Sequence, residues 1–224
     1  MMLNETRHRR ETGVGQPHRS TGAIVGRCLA ALILVATLPF WLLAAGIVYA
    51  SIGRPLLFRQ TRSGLSAKPF MICKFRTMRD TRGPDGMLLP DALRETRATR
   101  LMRAWRLDEL PQLLAVLRGD MTLVGPRPLL PSTIAAFGDW GVERCTVLPG
   151  FTGWAQVNGN THLSDSEKLT LDLWYVRHRN LLLDLRILLM TGLVLVRGER
   201  RMLATIAAAA AELNPLDVSG RTAP

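Results

Sequence analysis

The chain has 224 residues, 47% hydrophobic and 21% charged, so it can bury a core and is not an intrinsically disordered chain. Lys and Arg outnumber Asp and Glu by 29 to 18, giving a net charge of +11 that points to an anionic partner: nucleic acid, lipid headgroups or a phosphorylated small molecule. Its three cysteines, Cys28, Cys73 and Cys145, follow neither a disulfide framework nor a zinc spacing, which excludes both classes and fits a reducing, cytoplasmic setting.

Residues 1–22 are polar and carry Arg7, Arg9, Arg10 and Arg19, the pattern of a disordered basic tail. From Cys28 to Ile52 no residue is charged, and a helix of that length reaches about 37 Å, enough to span a bilayer. Its flanks are basic on both sides, with Arg54, Arg59, Arg62, Lys68, Lys74 and Arg76 close behind it, so the positive-inside rule orients no simple span. Pro39, near the middle, removes a backbone hydrogen bond and bends or breaks a helix there. Two arrangements remain open on these residues. One is a kinked spanning helix. The other is a hairpin that enters the membrane, bends near Pro39 and returns to the same face, with the Thr37 hydroxyl offsetting part of the lost bonding.

Residues 53–80 read as β structure. In the run from Phe70 to Thr77, Ile72, Lys74 and Arg76 share one face of a strand and Met71, Cys73 and Phe75 the other. Residues 81–90 read as a loop, and Asp91 to Trp105 as one basic helix with Arg94, Arg97, Arg100 and Arg103 on a stripe. In the next segment Asp108 suits a helix N-cap, Pro111 the first turn and Gly119 the stop, which places Asp108 and Glu109 at a helix start. Pro126 and Pro128 bracket Arg127 and stiffen the backbone from which its guanidinium would hold an anion. Residues 149–160 read as turn, strand, turn. Ser164 and Glu167 form a capping box for a helix through Arg179 that carries Asp172. Leu181 to Val196 is apolar but contains Asp184 and Arg186, which argues for an amphipathic interfacial or core helix over a second span, and Arg200 to Leu213 reads as an Ala-rich helix.

Adjacent carboxylates beside fixed arginines suggest phosphate chemistry, since carboxylates hold Mg²⁺ or attack phosphorus while cations neutralise the transferring group. Each signal is weak by itself. An Asp-Glu pair most often caps a helix, and Asp172 on an amphipathic helix most often serves a surface ion pair. No Walker A, GxGxxG or GxSxG motif is present.

Taken in order, KFRTM at 74–78, LDELPQLLAVLRGDMTLVGPRP at 107–128, PGFTGWAQVNG at 149–159 and LDLWYVRH at 171–178 resemble the bacterial sugar transferase family, the monotopic phosphoglycosyl transferases of glycan assembly. The resemblance covers about residues 22–198, and the chain looks like the minimal members that carry only the catalytic unit. It implies an α+β, mainly helical, monotopic membrane protein with four parts. These are a disordered basic tail (1–22), a re-entrant membrane helix broken at Pro39 (23–53), a compact cytoplasmic catalytic domain with amphipathic interfacial helices (54–198), and a C-terminal helix and tail (199–224).

The implied activity moves a sugar-1-phosphate from a UDP-sugar to polyprenol (undecaprenyl) phosphate and releases UMP. It runs by a ping-pong mechanism, as the first membrane step of exopolysaccharide or glycoconjugate biosynthesis. By the same resemblance Asp108 is the nucleophile that becomes a phosphoglycosyl-aspartate, and Glu109 completes the dyad. Mg²⁺ sits on Asp108 and Glu109, and Lys74, Arg103, Arg127 and Asp172 surround the substrate. The implied location is the bacterial inner membrane, with the catalytic domain facing the cytoplasm. The partners are the UDP-sugar, polyprenol phosphate, membrane lipids and either a second copy or downstream glycosyltransferases, with no nucleic acid. Two positions depart from the family pattern. Asn160 stands where Arg is common, and Leu38, not Ser, precedes Pro39.

Two other function classes compete with this expectation. A membrane-tethered basic module for nucleic acid or anionic lipid would use the charge but leave the Asp108–Glu109 pair idle. A structural adaptor of a glycan-export complex would tolerate Asp108→Asn.

Overall fold

The computed structural model describes residues 21–213; the expected basic tail, apart from its last two residues, and the residues after Leu213 lie outside that range. The described chain is mostly helical with two small sheets, in agreement with the expected α+β class.

Helix α1 (Thr21–Ala36) and helix α2 (Leu38–Ser51) form the apolar N-terminal unit. Among the described residues no single helix is long and apolar enough to cross a membrane, and this pair is bent by 59° at its break. The break falls on Thr37, with Pro39 in the first turn of α2, where its missing N–H leaves no donor unpaired. The Thr37 hydroxyl donates to the Ile33 carbonyl at 2.7 Å and lies 3.1 Å from that of Leu34, so it does compensate the interrupted ladder although it stands two residues before the proline.

Strand β1 (Leu57–Ser63) pairs antiparallel with β2 (Pro69–Phe75), Leu57 opposite Phe75 and Ser63 opposite Pro69. The expected single helix over 91–105 is instead two: α3 (Asp91–Arg94) and α4 (Arg97–Ala104). Glu95 leaves the helix to bridge Met78, and Thr96 caps α4 through a reciprocal box with Thr99. The arginine stripe is therefore interrupted, and Arg100 and Arg103 both turn onto Glu95. A 3₁₀ turn over Leu107–Gln112 leads into α5 (Leu113–Arg118). Helix α5 stops at Gly119 in the left-handed region (φ 88°), where a Cβ would strike the guanidinium of Arg27 from α1.

Strand β3 (Thr122–Val124) runs parallel to β4 (Gly150–Thr152), and α6 (Pro131–Ala136) and α7 (Gly138–Arg144) connect them. The region expected as turn, strand, turn continues beyond β4 into a short helix, α8 (Trp154–Val157). Helix α9 (Asp165–His178) opens at the expected capping box, with the Ser164 hydroxyl accepting from Glu167 N and the Glu167 carboxylate accepting from Ser164 N. It ends one residue earlier than expected. Helices α10 (Leu181–Arg197) and α11 (Leu203–Glu212) complete the chain.

The main core joins Ala30 of α1, Ile72 of β2, Leu113 and Val116 of α5, Leu171 of α9 and Ile187 of α10. A second cluster packs Ala44 and Val48 of α2 against Phe75 and Met102, with Leu107 at its edge. The apolar pair is thus bolted to the element that carries the two carboxylates.

Backbone contact at Gly125 and Gly150 fixes the sheet beneath Arg127. Gly125 N donates to Thr152 O at 2.9 Å, and Gly150 N donates to Pro126 O at 2.9 Å. A Cβ on Gly150 would lie 2.0 Å from Gly125 N. Gly150→Ala must therefore push the strands apart, and a loss of about 2–3 kcal/mol of stability is expected. Thermal or denaturant melting in detergent checks it, with Gly192→Ala, where nothing lies within 4 Å, as the mild control.

Candidate active site

The site is built on the 3₁₀ turn. Its entry residue is Arg106, in the left-handed conformation (φ 54°), not Asp108 as the sequence suggests. Asp108 and Glu109 lie inside the turn, both buried, and no capping bond forms from a side chain.

Glu109 is gripped by three cations from separate parts of the chain. Lys74 Nζ of β2 donates to Oε1 at 2.7 Å, Arg127 Nη2 donates to the same oxygen at 2.5 Å, and Arg106 Nη1 lies 3.3 Å from Oε2. Strand alternation explains the first contact: Phe75 points into the α2 cluster, so Lys74 points the other way, toward the dyad. Burial alone would push the Glu109 carboxyl up, but Arg127, Lys74 and Arg106 together hold it far below the ordinary carboxylate range. It is an anion at any pH at which the protein works.

Asp108 is the opposite case. It makes no salt bridge among the described residues, and burial, reinforced by the charge of Glu109, pushes its carboxyl up to about 6 against the weaker pull of Lys74 and Arg103. Two adjacent carboxylates therefore have environments that drive them apart, which is how acid, base and nucleophile roles are separated in enzyme sites. Arg103, half-exposed on α4, is ion-paired with Glu95 and acts on Asp108 only through space.

Asp172, expected among the substrate contacts, is buried and paired with Arg144. It is 2% exposed, and its Oδ2 accepts from Arg144 Nε at 2.9 Å and Nη2 at 2.7 Å. Arg144 Nη2 in turn donates to the Arg127 carbonyl at 2.5 Å. Asp172 thus steadies the backbone of the arginine that holds Glu109.

Sequence reasoning missed four participants. Arg62 of β1 stands near Arg127, and burial and that like charge lower its proton affinity. Arg106 and Arg144 carry no assigned role in the sequence reading. Glu199, placed by the sequence in the C-terminal segment, reaches the site through Arg106 Nη2 at 2.5 Å. The only sequence signal for Arg106 is its place two residues before Asp108. Asn160 donates to Glu199 Oε1 at 2.6 Å, so its amide serves the protein's own carboxylate.

The described residues contain no cluster of three or more metal-ligating side chains. A Mg²⁺ ion that keeps its waters and binds a diphosphate needs only one or two carboxylate oxygens. The Asp108 carboxylate and Glu109 Oε2, whose nearest cation is 3.3 Å away, fit that demand, whereas Oε1 is taken by Lys74 and Arg127.

The chain matches the bacterial sugar transferase family over residues 18–198, so the structure is that of a sugar transferase, and the protein belongs to this family. It is 46% identical over 171 residues to the sugar transferase EpsL of Bacillus subtilis, covering 76% of this chain and 81% of that one. It is 41% identical over 172 residues to a UDP-glucose:undecaprenyl-phosphate glucose-1-phosphate transferase of Caulobacter vibrioides, covering 72% of this chain and 64% of that protein. The exopolysaccharide production protein ExoY of Rhizobium meliloti is 32% identical over 180 residues, covering 72% and 79%. Some relatives are much longer: the match spans 39% of the Xanthomonas campestris UDP-glucose:undecaprenyl-phosphate glucose-1-phosphate transferase.

If Asp108 must be ionised to react, transferase activity should rise with pH through about 6, because the elevated carboxyl is neutral below that value. Glu109→Gln removes the like charge but leaves the cations, so the acid limb should move to lower pH while the rate falls. A kcat/KM profile for both proteins checks the position and the direction of the limb.

Proposed function

We propose that the protein transfers a sugar-1-phosphate from a UDP-sugar to polyprenol phosphate in two steps at Asp108. The single observation that carries this reading is the pair of adjacent buried carboxylates with opposite environments, one saturated by cations and one without an ion-pair partner. It is supported by relatives named for glucose-1-phosphate transfer from UDP-glucose to undecaprenyl phosphate.

In the first step an Asp108 oxygen attacks the phosphorus that bears the sugar. The bond from that phosphorus to the UMP oxygen breaks, UMP leaves, and the sugar phosphate is held as an acyl phosphate. In the second step a phosphate oxygen of the polyprenol attacks the same phosphorus. Asp108 departs as a carboxylate, leaving a polyprenol diphosphate sugar. Arg127 and Lys74 fix Glu109, and Arg103 adds positive potential over the nucleophile. Mg²⁺, held by Asp108 and Glu109 Oε2, would supply further charge neutralisation at the diphosphate.

The membrane reading is a hairpin that enters and leaves on one face. Large apolar side chains supporting it stand exposed on both halves, among them Leu32, Val35, Leu42 and Tyr49, and again along α10 at Leu181, Leu189 and Val196. An apolar cavity of about 700 Å³, lined by Trp41, Leu42, Ala45, Leu56 and Phe75, opens between α2 and the β1–β2 ribbon whose other face carries Lys74. In this reading it takes the first prenyl units of the acceptor and leaves the phosphate within reach of Asp108. The active site then faces the cytoplasm, where UDP-sugars are made.

Incubation with donor alone should give a protein heavier by the sugar phosphate, detected by mass spectrometry. Asp108→Asn should show neither the adduct nor UMP release, and transfer without an adduct would overturn the two-step reading. The variant should remain folded, with a melting midpoint at neutral pH at or above that of the unaltered protein. The reason is that a carboxyl whose folded value is raised weakens the fold as pH climbs past it. In a cysteine-less background, cysteines introduced at Ser20 and Gln60 should react with an impermeant reagent from the same side of the membrane. Opposite sides would exclude the hairpin.

A further inference from the structure

Glu199 lies just beyond α10, 93 residues from Arg106, yet it is the meeting point of four donors. Its Oε1 accepts from Arg106 Nη2 at 2.5 Å and from Asn160 Nδ2 at 2.6 Å, and its Oε2 accepts from Thr161 N at 3.1 Å and from Thr161 Oγ1 at 2.5 Å. The segment that holds it is tied down on both sides. Met202 N donates to Asn158 O at 3.0 Å, and Arg201 pairs with Glu167 at the start of α9. Burial would raise the Glu199 carboxyl, yet the donors from Thr161 and Asn160 and the charge of Arg106 keep it below its ordinary value, so it stays an anion. Arg106 is thereby held between two carboxylates, one Nη on Glu109 and the other on Glu199. It also has a left-handed backbone immediately before the dyad, a conformation that a non-glycine residue keeps only when its surroundings enforce it.

We propose that Glu199 is a positioning residue for the reaction: it clamps the Arg106 guanidinium against Glu109, so that the strap after α10 sets the geometry of the turn carrying Asp108. This rests on the reading of Asp108 and Glu109 as the reacting dyad. Residues that orient a reacting group contribute without touching substrate, and losing one commonly lowers activity by about 10- to 100-fold. Glu199 acts through Arg106, so the two side chains form one unit, and units of this kind are non-additive.

The test is a double-mutant cycle in the full-length, detergent-solubilised protein, with UMP release from UDP-glucose and undecaprenyl phosphate as the rate and thermal melting as the fold control. Glu199→Ala and Arg106→Ala are each expected to lower kcat by about 10- to 100-fold. The double variant is expected to be no slower than the worse single variant. Glu199→Gln, which keeps the volume and removes the charge, is included in case the alanine variant does not fold, and it should show the same non-additivity with Arg106→Ala. Losses that multiply across the cycle, or a Glu199 variant that retains full kcat, would overturn the assignment. So would a loss of kcat that tracks a fall in melting temperature and disappears on cooling. Asp108→Asn run alongside separates the two readings. If it remains active, the dyad reading fails; if it is dead while the cycle is additive, only the role of Glu199 fails.

Discussion

The structure depends on the neutralisation of one buried carboxylate. Glu109 cannot remain charged in the interior without partners, because removing one member of a buried pair typically costs about 3–5 kcal/mol. Its partners come from a strand edge, from a residue on its own turn and from a proline-locked loop. The contacts from Lys74 and Arg127 tie distant parts of the chain to the same carboxylate. The β1–β2 ribbon, the β3–β4 sheet and the 3₁₀ turn are thus mutually oriented by electrostatics as much as by the core. The neighbouring Asp108 takes the consequence: with the cations committed to Glu109, it is left basic in a positive surround.

A second layer of ionic contacts holds these partners in turn. Asp172 fixes Arg144, which fixes the backbone of Arg127, and Glu199 fixes Arg106. The glycine contact at Gly125 and Gly150 performs the same task by steric means, since it lets two backbones approach closely enough to set the height of the arginine loop. The bent apolar helix pair joins through Ala44 and Val48, which pack on Phe75, the residue next to Lys74. The placement of the bent helix pair and that of the dyad are consequently linked through one strand.

The sequence made part of this legible. Proline and glycine punctuation marks the 3₁₀ turn, its helix and the Arg127 loop, and the Ser164–Glu167 box marks the start of α9, because these are local signals with local causes. The motifs carried Lys74, Asp108, Glu109 and Arg127 as a set, and the structure brings those four together. It did not carry Arg106 or Glu199. A left-handed arginine has no propensity signature, and an ion pair across 93 residues has no spacing to read. Asp172 entered the expected substrate set through the family resemblance alone, and its buried ion pair with Arg144, 28 positions away, has no spacing to read. The continuous helix over 91–105 failed for a similar reason: Glu95 leaves helical geometry to pair with Met78, a tertiary preference that overrides local propensity.

The ion pair between Arg106 and Glu199 has a bearing on biogenesis. One end of it lies just before the turn that carries the two carboxylates and the other just after α10. Until the residues after α10 are made, a nascent polypeptide therefore holds this charge network incomplete. Loss of the segment after α10 would leave Arg106 on Glu109 alone and the left-handed turn without its outer clamp.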